Sequence, residues 1–185
     1  MIVSSRLSAT TAARQLGLAR STFYYRSKKL IKDWKAAGLK GKIALCGPGF
    51  LTEGILDEVG DAAEGMETTL HYGDGIETPK NKTFRLNYAK AYKLQPDVYA
   101  VQGYDAGLLL AAGLKVVKGD VSKKKQLIAA LEKAEIDSPR GKWKMSKDHN
   151  PIQDMYLRKV VGKENKVMSI AIKAFDYPAR GCKMG

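Results

Sequence analysis

From about residue 30 onward, the spacing of hydrophobic residues switches repeatedly between helical and strand periodicity. Helices are predicted at residues 30–37, 79–92, 98–117 and 122–134. Strands are predicted at 42–46, 64–72, 142–146, 155–161 and 167–175, and GKEN at 162–165 is typical of a hairpin loop. Alternating helices and strands indicate an α/β layer architecture with a small antiparallel addition near the end.

For three of the predicted helices, the sequence also indicates which residues share a face or are buried. The helix at 79–92 places three aromatic side chains four residues apart, on one face: Phe84, Tyr88 and Tyr92. The helix at 98–117 is strongly apolar, and its alanine and glycine content favours burial against a sheet. The helix at 122–134 begins at a capping serine, and we expect Leu127, Ile128 and Leu131 to face inward.

The organisation of the chain changes near residue 28. A short helix at 8–16, a turn at Gly17 and a second helix at 20–29 form a helix-turn-helix pattern. Residues 1–42 hold 10 basic residues and one acidic residue, a net charge of +9, whereas the remaining 143 residues carry only +4. This asymmetry indicates either an anionic partner for the basic end or a solvated basic helix surface without one. The predicted boundaries are 1–29 for the basic segment and 30–185 for the α/β part.

No arrangement of residues in the sequence predicts an enzyme, a metal site or a cofactor. The only two histidines are His71 and His149, and neither has the sequence neighbours of a nucleophilic or metal-binding site. Two cysteines, Cys46 and Cys182, allow a pair of separate thiols or one bridge, and the sequence does not decide between them. No apolar run spans a bilayer and no secretory signal is visible, so the chain as written is expected in the cytoplasm.

Four ordered segments resemble a known family: KDWKAAGLKGKIALCGPGF, GDAAEGMETTLHYGDG, QPDVYAVQGYDAG and SPRGKWKMSKDHNPIQDMYLRKVV. They are similar to the C-terminal half of type I periplasmic binding proteins, the leucine/isoleucine/valine-binding family that feeds ABC importers. The resemblance covers roughly 155 residues. It implies part of a Rossmann-like α/β fold with helices on a mainly parallel sheet, a small-molecule ligand between two lobes, a transporter permease as partner and a periplasmic location.

The resemblance also implies three ligand-binding residues: Gly49 and Phe50 in the GPGF loop, and Tyr99. The alternatives are that the loop is a plain strand-to-helix turn and that Tyr99 belongs to the core. Leucine-binding members carry an acid directly after this Gly-Pro pair, and it fixes the ammonium group of the ligand. Gly49 stands there instead, so an aromatic or aliphatic carboxylate becomes an alternative to an amino acid, with Phe50 as an apolar wall.

The N-terminal stretch AARQLGLARSTFYYRSKK resembles the helix-turn-helix of integrase-type transposases. It implies an alternative function, DNA binding, with Ser21 and Thr22 at the start of the second helix. The side chains that would contact phosphates are Arg14, Arg20, Arg26, Lys28 and Lys29. A non-functional gene-fusion fragment is a third interpretation. Because about half of a type I binding protein precedes the resembling region, we expect this chain alone to bind ligand weakly and to associate through exposed apolar surface.

Overall fold

The computed structural model describes residues 27–49, 51–73 and 75–177. Its helices are α1 (Ser27–Ala36), α2 (Glu53–Val59), α3 (Pro79–Tyr92), α4 (Val98–Val116) and α5 (Lys124–Glu132). Its strands are β1 (Gly47–Pro48), β2 (Glu67–Leu70), β3 (Glu135–Ser138), β4 (Gly141–Met145), β5 (Pro151–Val161) and β6 (Glu164–Phe175). The chain divides into two compact units, and each is described separately below.

The first unit contains the described residues up to Thr69 together with Arg158–Lys166. Strands β1 and β2 are parallel, with Gly47 opposite Thr68. The end of β5 lies beside β2, where the Val160 amide donates to the carbonyl of Met66 at 2.9 Å. Helices α1 and α2 enclose an apolar core with these strands: Ile31, Leu51, Leu56, Val59, Ala62, Ala63, Met66 and Val160.

The second unit contains Leu70–Leu157 and the described residues from Val167 onward. Strands β3, β4 and β5 form antiparallel pairs, and β6 pairs with β5. Helices α3, α4 and α5 belong to this unit, and α4 packs against α5 and β3. The apolar core is formed by Tyr72, Ile76, Phe84, Val98, Val101 and Tyr156.

The predicted α/β class is confirmed, but the sheet is mixed and not mainly parallel among the described strands: β1 pairs with β2 in parallel, and β4 pairs with β3 and β5 antiparallel. Helix α3 has the predicted bounds because its start is strongly specified. The Thr78 side chain accepts a hydrogen bond from the Asn81 amide at 3.1 Å, and Pro79 occupies the first turn. The predicted aromatic face is confirmed too, with ring centroids 5.9 Å apart for Phe84 and Tyr88 and 4.6 Å apart for Tyr88 and Tyr92.

The strand predicted at 42–46 is wrong. The amides of Lys42 and Ile43 both donate to the carbonyl of Leu39, which holds the start of this segment in a turn. Strand pairing begins only at Gly47 and lasts two residues. Strand β3 was not predicted, because its four residues, EIDS, offer too short an apolar alternation to be distinguished from a loop.

The burial expected for two helices is also wrong in part. On α4 only Val98, Val101, Asp105 and Gly113 are buried, and Leu110 is 50% exposed. Helix α5 begins at Lys124 instead of at the predicted serine, and none of its residues is fully buried. Ile128, predicted to face inward, is 52% exposed. Both helices contact each other along one side, so apolar residues on their other sides remain accessible.

Candidate functional site

The GPGF loop of the first unit begins in the short parallel strand β1. Gly49 follows Pro48 directly, is exposed and has φ +68°, in the left-handed region that favours glycine. A glycine in this conformation lets other groups approach the backbone closely. Phe50 lies outside the described residues.

Buried side chains fix the chain immediately after this loop. The Leu51 carbonyl accepts hydrogen bonds from Asn165 Nδ2 at 2.9 Å and from Arg158 Nη2 at 3.4 Å. Arg158 also donates to Thr68 Oγ1 through Nε at 3.1 Å and Nη2 at 2.9 Å. Strand pairing before the loop and these donors after it therefore hold both of its ends. Sequence reasoning missed Arg158 and Asn165, because they lie more than 100 residues from Leu51 in the chain.

Tyr99 lies in the first turn of α4, in the second unit. Val98, directly before it, and Val101, two residues after it, are buried, and the Asp97 side chain caps the helix by accepting from the Ala100 amide at 2.8 Å. Tyr99 itself is 63% exposed. The interpretation of Tyr99 as a core residue of this chain is therefore wrong, and its role as a ligand contact stays a prediction.

A buried polar cluster holds the middle of α4 to strands β4 and β5. Asp105 Oδ2 accepts from Arg140 Nε and, at 3.0 Å, from Trp143 Nε1. The Tyr156 hydroxyl donates to the Arg140 carbonyl at 2.7 Å, and burial, followed by the charge of Asp154, raises the pKa of Tyr156. Sequence reasoning missed this cluster because Asp105 is separated from Arg140 by 35 residues and from Trp143 by 38.

The predicted site residues fall in different parts of the chain. Gly49 belongs to the first unit and Tyr99 to the second. Of the residues proposed for DNA contact, Arg14, Arg20, Ser21, Thr22 and Arg26 lie outside the described residues. Cys46 is an exposed free thiol, and Cys182 also lies outside the described part.

The described part of the chain contains neither a group of side chains suited to a metal ion nor a helix suited to span a membrane. Among these residues, no three His, Cys, Asp or Glu side chains are grouped so that they could hold a metal ion. Of the helices within 27–49, 51–73 and 75–177, none combines the length and apolarity required to cross a bilayer.

Comparisons with solved structures identify similar proteins. An ABC transporter solute-binding protein from R. palustris, solved with benzoate, shares 46% identity over 85% of this chain, with a TM-score of 0.78. A second, from Rhodopseudomonas palustris BisB5 with 3,4-dihydroxybenzoic acid, shares 30% identity over 84% of this chain, with a TM-score of 0.73. A leucine-binding protein from Thermotoga maritima, at 16% identity over 92% of this chain and half of its own, has the same fold, with a TM-score of 0.67.

The chain spans less than half of the two Rhodopseudomonas proteins, 43% and 44% of their lengths. No curated protein sequence matches it. The family model described as periplasmic binding protein matches residues 27–165, most of the described chain and both of its units. By this match and by 46% identity to a solved solute-binding protein, the chain belongs to the periplasmic binding protein family.

Proposed function

We propose that this chain forms part of the solute-binding component of an ABC importer, and that the solute is a benzoate-type aromatic carboxylate. The observation that carries the proposal is the 46% identity to a solute-binding protein solved with benzoate. Two further similar proteins were solved with 4-hydroxybenzoate, at 26% identity each. The permease of the importer is the proposed protein partner, and binding and release of solute, without chemical change, is the proposed activity.

Gly49 supports an aromatic acid over an amino acid. An α-amino acid carries an ammonium group that requires an acceptor, and a carboxylate side chain supplies the strongest one. The residue after Pro48 has no side chain at all. A benzoate-type acid has no ammonium group, so it loses no hydrogen bond when the residue at this position is glycine. The backbone of Gly49 is also exposed and left-handed, which leaves room beside the loop.

Tyr99 supports an aromatic solute for a different reason. Its ring is mostly exposed, although Val98 and Val101 in the same helix turn are buried. Aromatic pairs contribute about 0.5–1.5 kcal/mol beyond the area they bury. Removing the ring should therefore weaken benzoate binding more than removing its hydroxyl. We expect Tyr99→Ala to lower affinity roughly tenfold or more and Tyr99→Phe to lower it only a few-fold.

The test uses calorimetry on two proteins, because the chain spans only 43% of the length of the relative solved with benzoate. One is the chain itself. The other is a chimera in which residues 27–177 replace the corresponding part of the R. palustris benzoate-binding relative. The chimera is expected to bind benzoate and to show no binding of leucine. A folded chimera that prefers leucine, or that binds neither solute, would refute the proposal.

A matched pair of variants in the chimera isolates the role of position 49. Asp and Asn both tolerate the left-handed conformation, so they impose similar backbone strain. Gly49→Asp adds a negative charge that repels a carboxylate, whereas Gly49→Asn does not. We expect the Asp variant to lose benzoate affinity by at least tenfold relative to the Asn variant. Equal affinities would show that position 49 does not face the solute.

A further inference from the structure

Residues 115–125 (KVVKGDVSKKK), here called the lysine patch, form a dense basic surface in the second unit. The patch joins the last turn of α4 to the start of α5 and contains five lysines and one acid, Asp120. All of its residues are exposed except Val117, which is buried and anchors the segment. Two apolar side chains stand open among the lysines: Val116 is 66% exposed and Val121 is 63% exposed.

The patch has a fixed shape. The Gly119 amide donates to the Leu114 carbonyl at 2.9 Å, and the Asp120 amide donates to the carbonyl of Val117 at 3.0 Å. The Asp120 carboxylate accepts from the Ser122 amide and hydroxyl and pairs with Lys123 at 3.3 Å. These bonds engage the single acid within the turn, so the charge that the patch presents outward is positive.

The stability of the fold explains only some of these lysines, and it does not explain Lys124 and Lys125. Lys115 lies in the last turn of α4, where a cation is favoured by the helix dipole. Lys124 and Lys125 occupy the first two positions of α5, where a cation is disfavoured, and that first turn contains no acid. The two lysines thus oppose the local helix field, and an anionic partner would remove that penalty.

We propose that the lysine patch docks on an anionic lipid bilayer. Clustered lysines are attracted to the negative surface of such a bilayer, and exposed apolar side chains beside them enter its interfacial region. Val116 and Val121 distinguish this partner from nucleic acid, because binding to phosphates alone gives exposed valines no role. Docking would hold the chain at a membrane whether or not it binds benzoate.

The first experiment measures the partition of the full chain onto vesicles that contain phosphatidylglycerol, compared with pure phosphatidylcholine vesicles. The variant K118Q/K124Q/K125Q removes three patch lysines. The control K90Q/K142Q/K147Q removes the same charge from exposed lysines outside the patch. We expect the patch variant to lose on the order of 100-fold in partition and the control to lose far less. Equal losses would overturn the proposal, since they would indicate attraction by overall charge.

The second experiment locates the contact, because residues 1–42 are also strongly basic and attract anionic vesicles. With Cys46 and Cys182 replaced by serine, an environment-sensitive fluorophore is attached at V121C or, as a control, at S169C. Phosphatidylglycerol vesicles should shift the emission to the blue at position 121 only. A bound protein whose label at 121 stays in water would contradict docking by this patch. Tighter patch-dependent binding to duplex DNA than to vesicles would also overturn it, in favour of nucleic acid.

Discussion

At the scale of single residues, the strongest prediction concerns the buried pair of Asp105 and Arg140. Their side chains are only 4% and 5% exposed, so neither charge is solvated when the other is removed. We expect Asp105→Asn to lower the free energy of unfolding by about 3–5 kcal/mol, as measured by urea denaturation, because it leaves the Arg140 charge buried without its counter-charge.

The exposed pair of Lys80 and Asp137 provides the control. Its side chains are 36% and 66% exposed, and surface pairs of this kind contribute about 0–1 kcal/mol. Asp137→Asn should therefore change stability little. If it destabilised the chain as much as Asp105→Asn does, then burial would not be what makes the first pair important.

The same exposed pair gives a prediction about pH. A hydrogen bond from Lys80 is the largest cause of the lowered pKa of Asp137, whose ordinary value is 3.8. A lowered pKa means that the contact stabilises the fold when the carboxylate is charged, and that this small contribution is lost as the pH falls below 3.8. Lys80→Met should raise the pKa toward that value in a carboxyl NMR titration, and Lys82→Met should leave it lowered.

At the scale of elements, we expect alanine substitution at two glycines of α4 to have opposite effects on stability. A Cβ added at Gly107 meets nothing within 4 Å, so Gly107→Ala should stabilise the helix by about 0.5–1 kcal/mol. A Cβ at Gly113 would lie 2.6 Å from Leu131 Cδ2 and 3.0 Å from Leu127 Cδ1, both on α5. Thermal unfolding should therefore rank Gly113→Ala below Gly107→Ala by about 1–3 kcal/mol. The reverse order would mean that α5 does not constrain α4 here.

The elements also show what the sequence allowed us to predict. Helix α3 was predictable because Phe84, Tyr88 and Tyr92 repeat at helical spacing, and in the structure Thr78 and Pro79 fix its start locally. The strand predicted at 42–46 was wrong because hydrogen bonds to the Leu39 carbonyl hold the start of this segment in a turn, despite its apolar run. For the site, Gly49 and Tyr99 came from the resemblance, and their role stays a prediction. Arg158 and Arg140 were not predicted because their hydrogen-bond partners are distant in sequence. No local sequence pattern indicates such contacts.

At the scale of the whole molecule, strand β6 presents the exposed apolar surface through which we expect the chain to associate. Met168, Ile170 and Ile172 follow one face of β6 and are 58%, 48% and 50% exposed. The residues between them are also exposed, so this length of strand lies open on both faces. Exposed apolar strands are favourable places for other chains to bind.

We therefore expect the chain to associate as its concentration rises, which light scattering coupled to size-exclusion chromatography would measure. Ile170→Lys places a charge in the centre of the apolar face and should reduce the mean mass toward that of a monomer. Ser169→Lys adds the same charge to the opposite face of the same strand, so it controls for solubility gained through net charge alone. Because side chains alternate between the faces of a strand, only the first variant interrupts the row of apolar side chains. A chain that is monomeric at all concentrations, or that responds equally to both variants, would show that this face does not drive association.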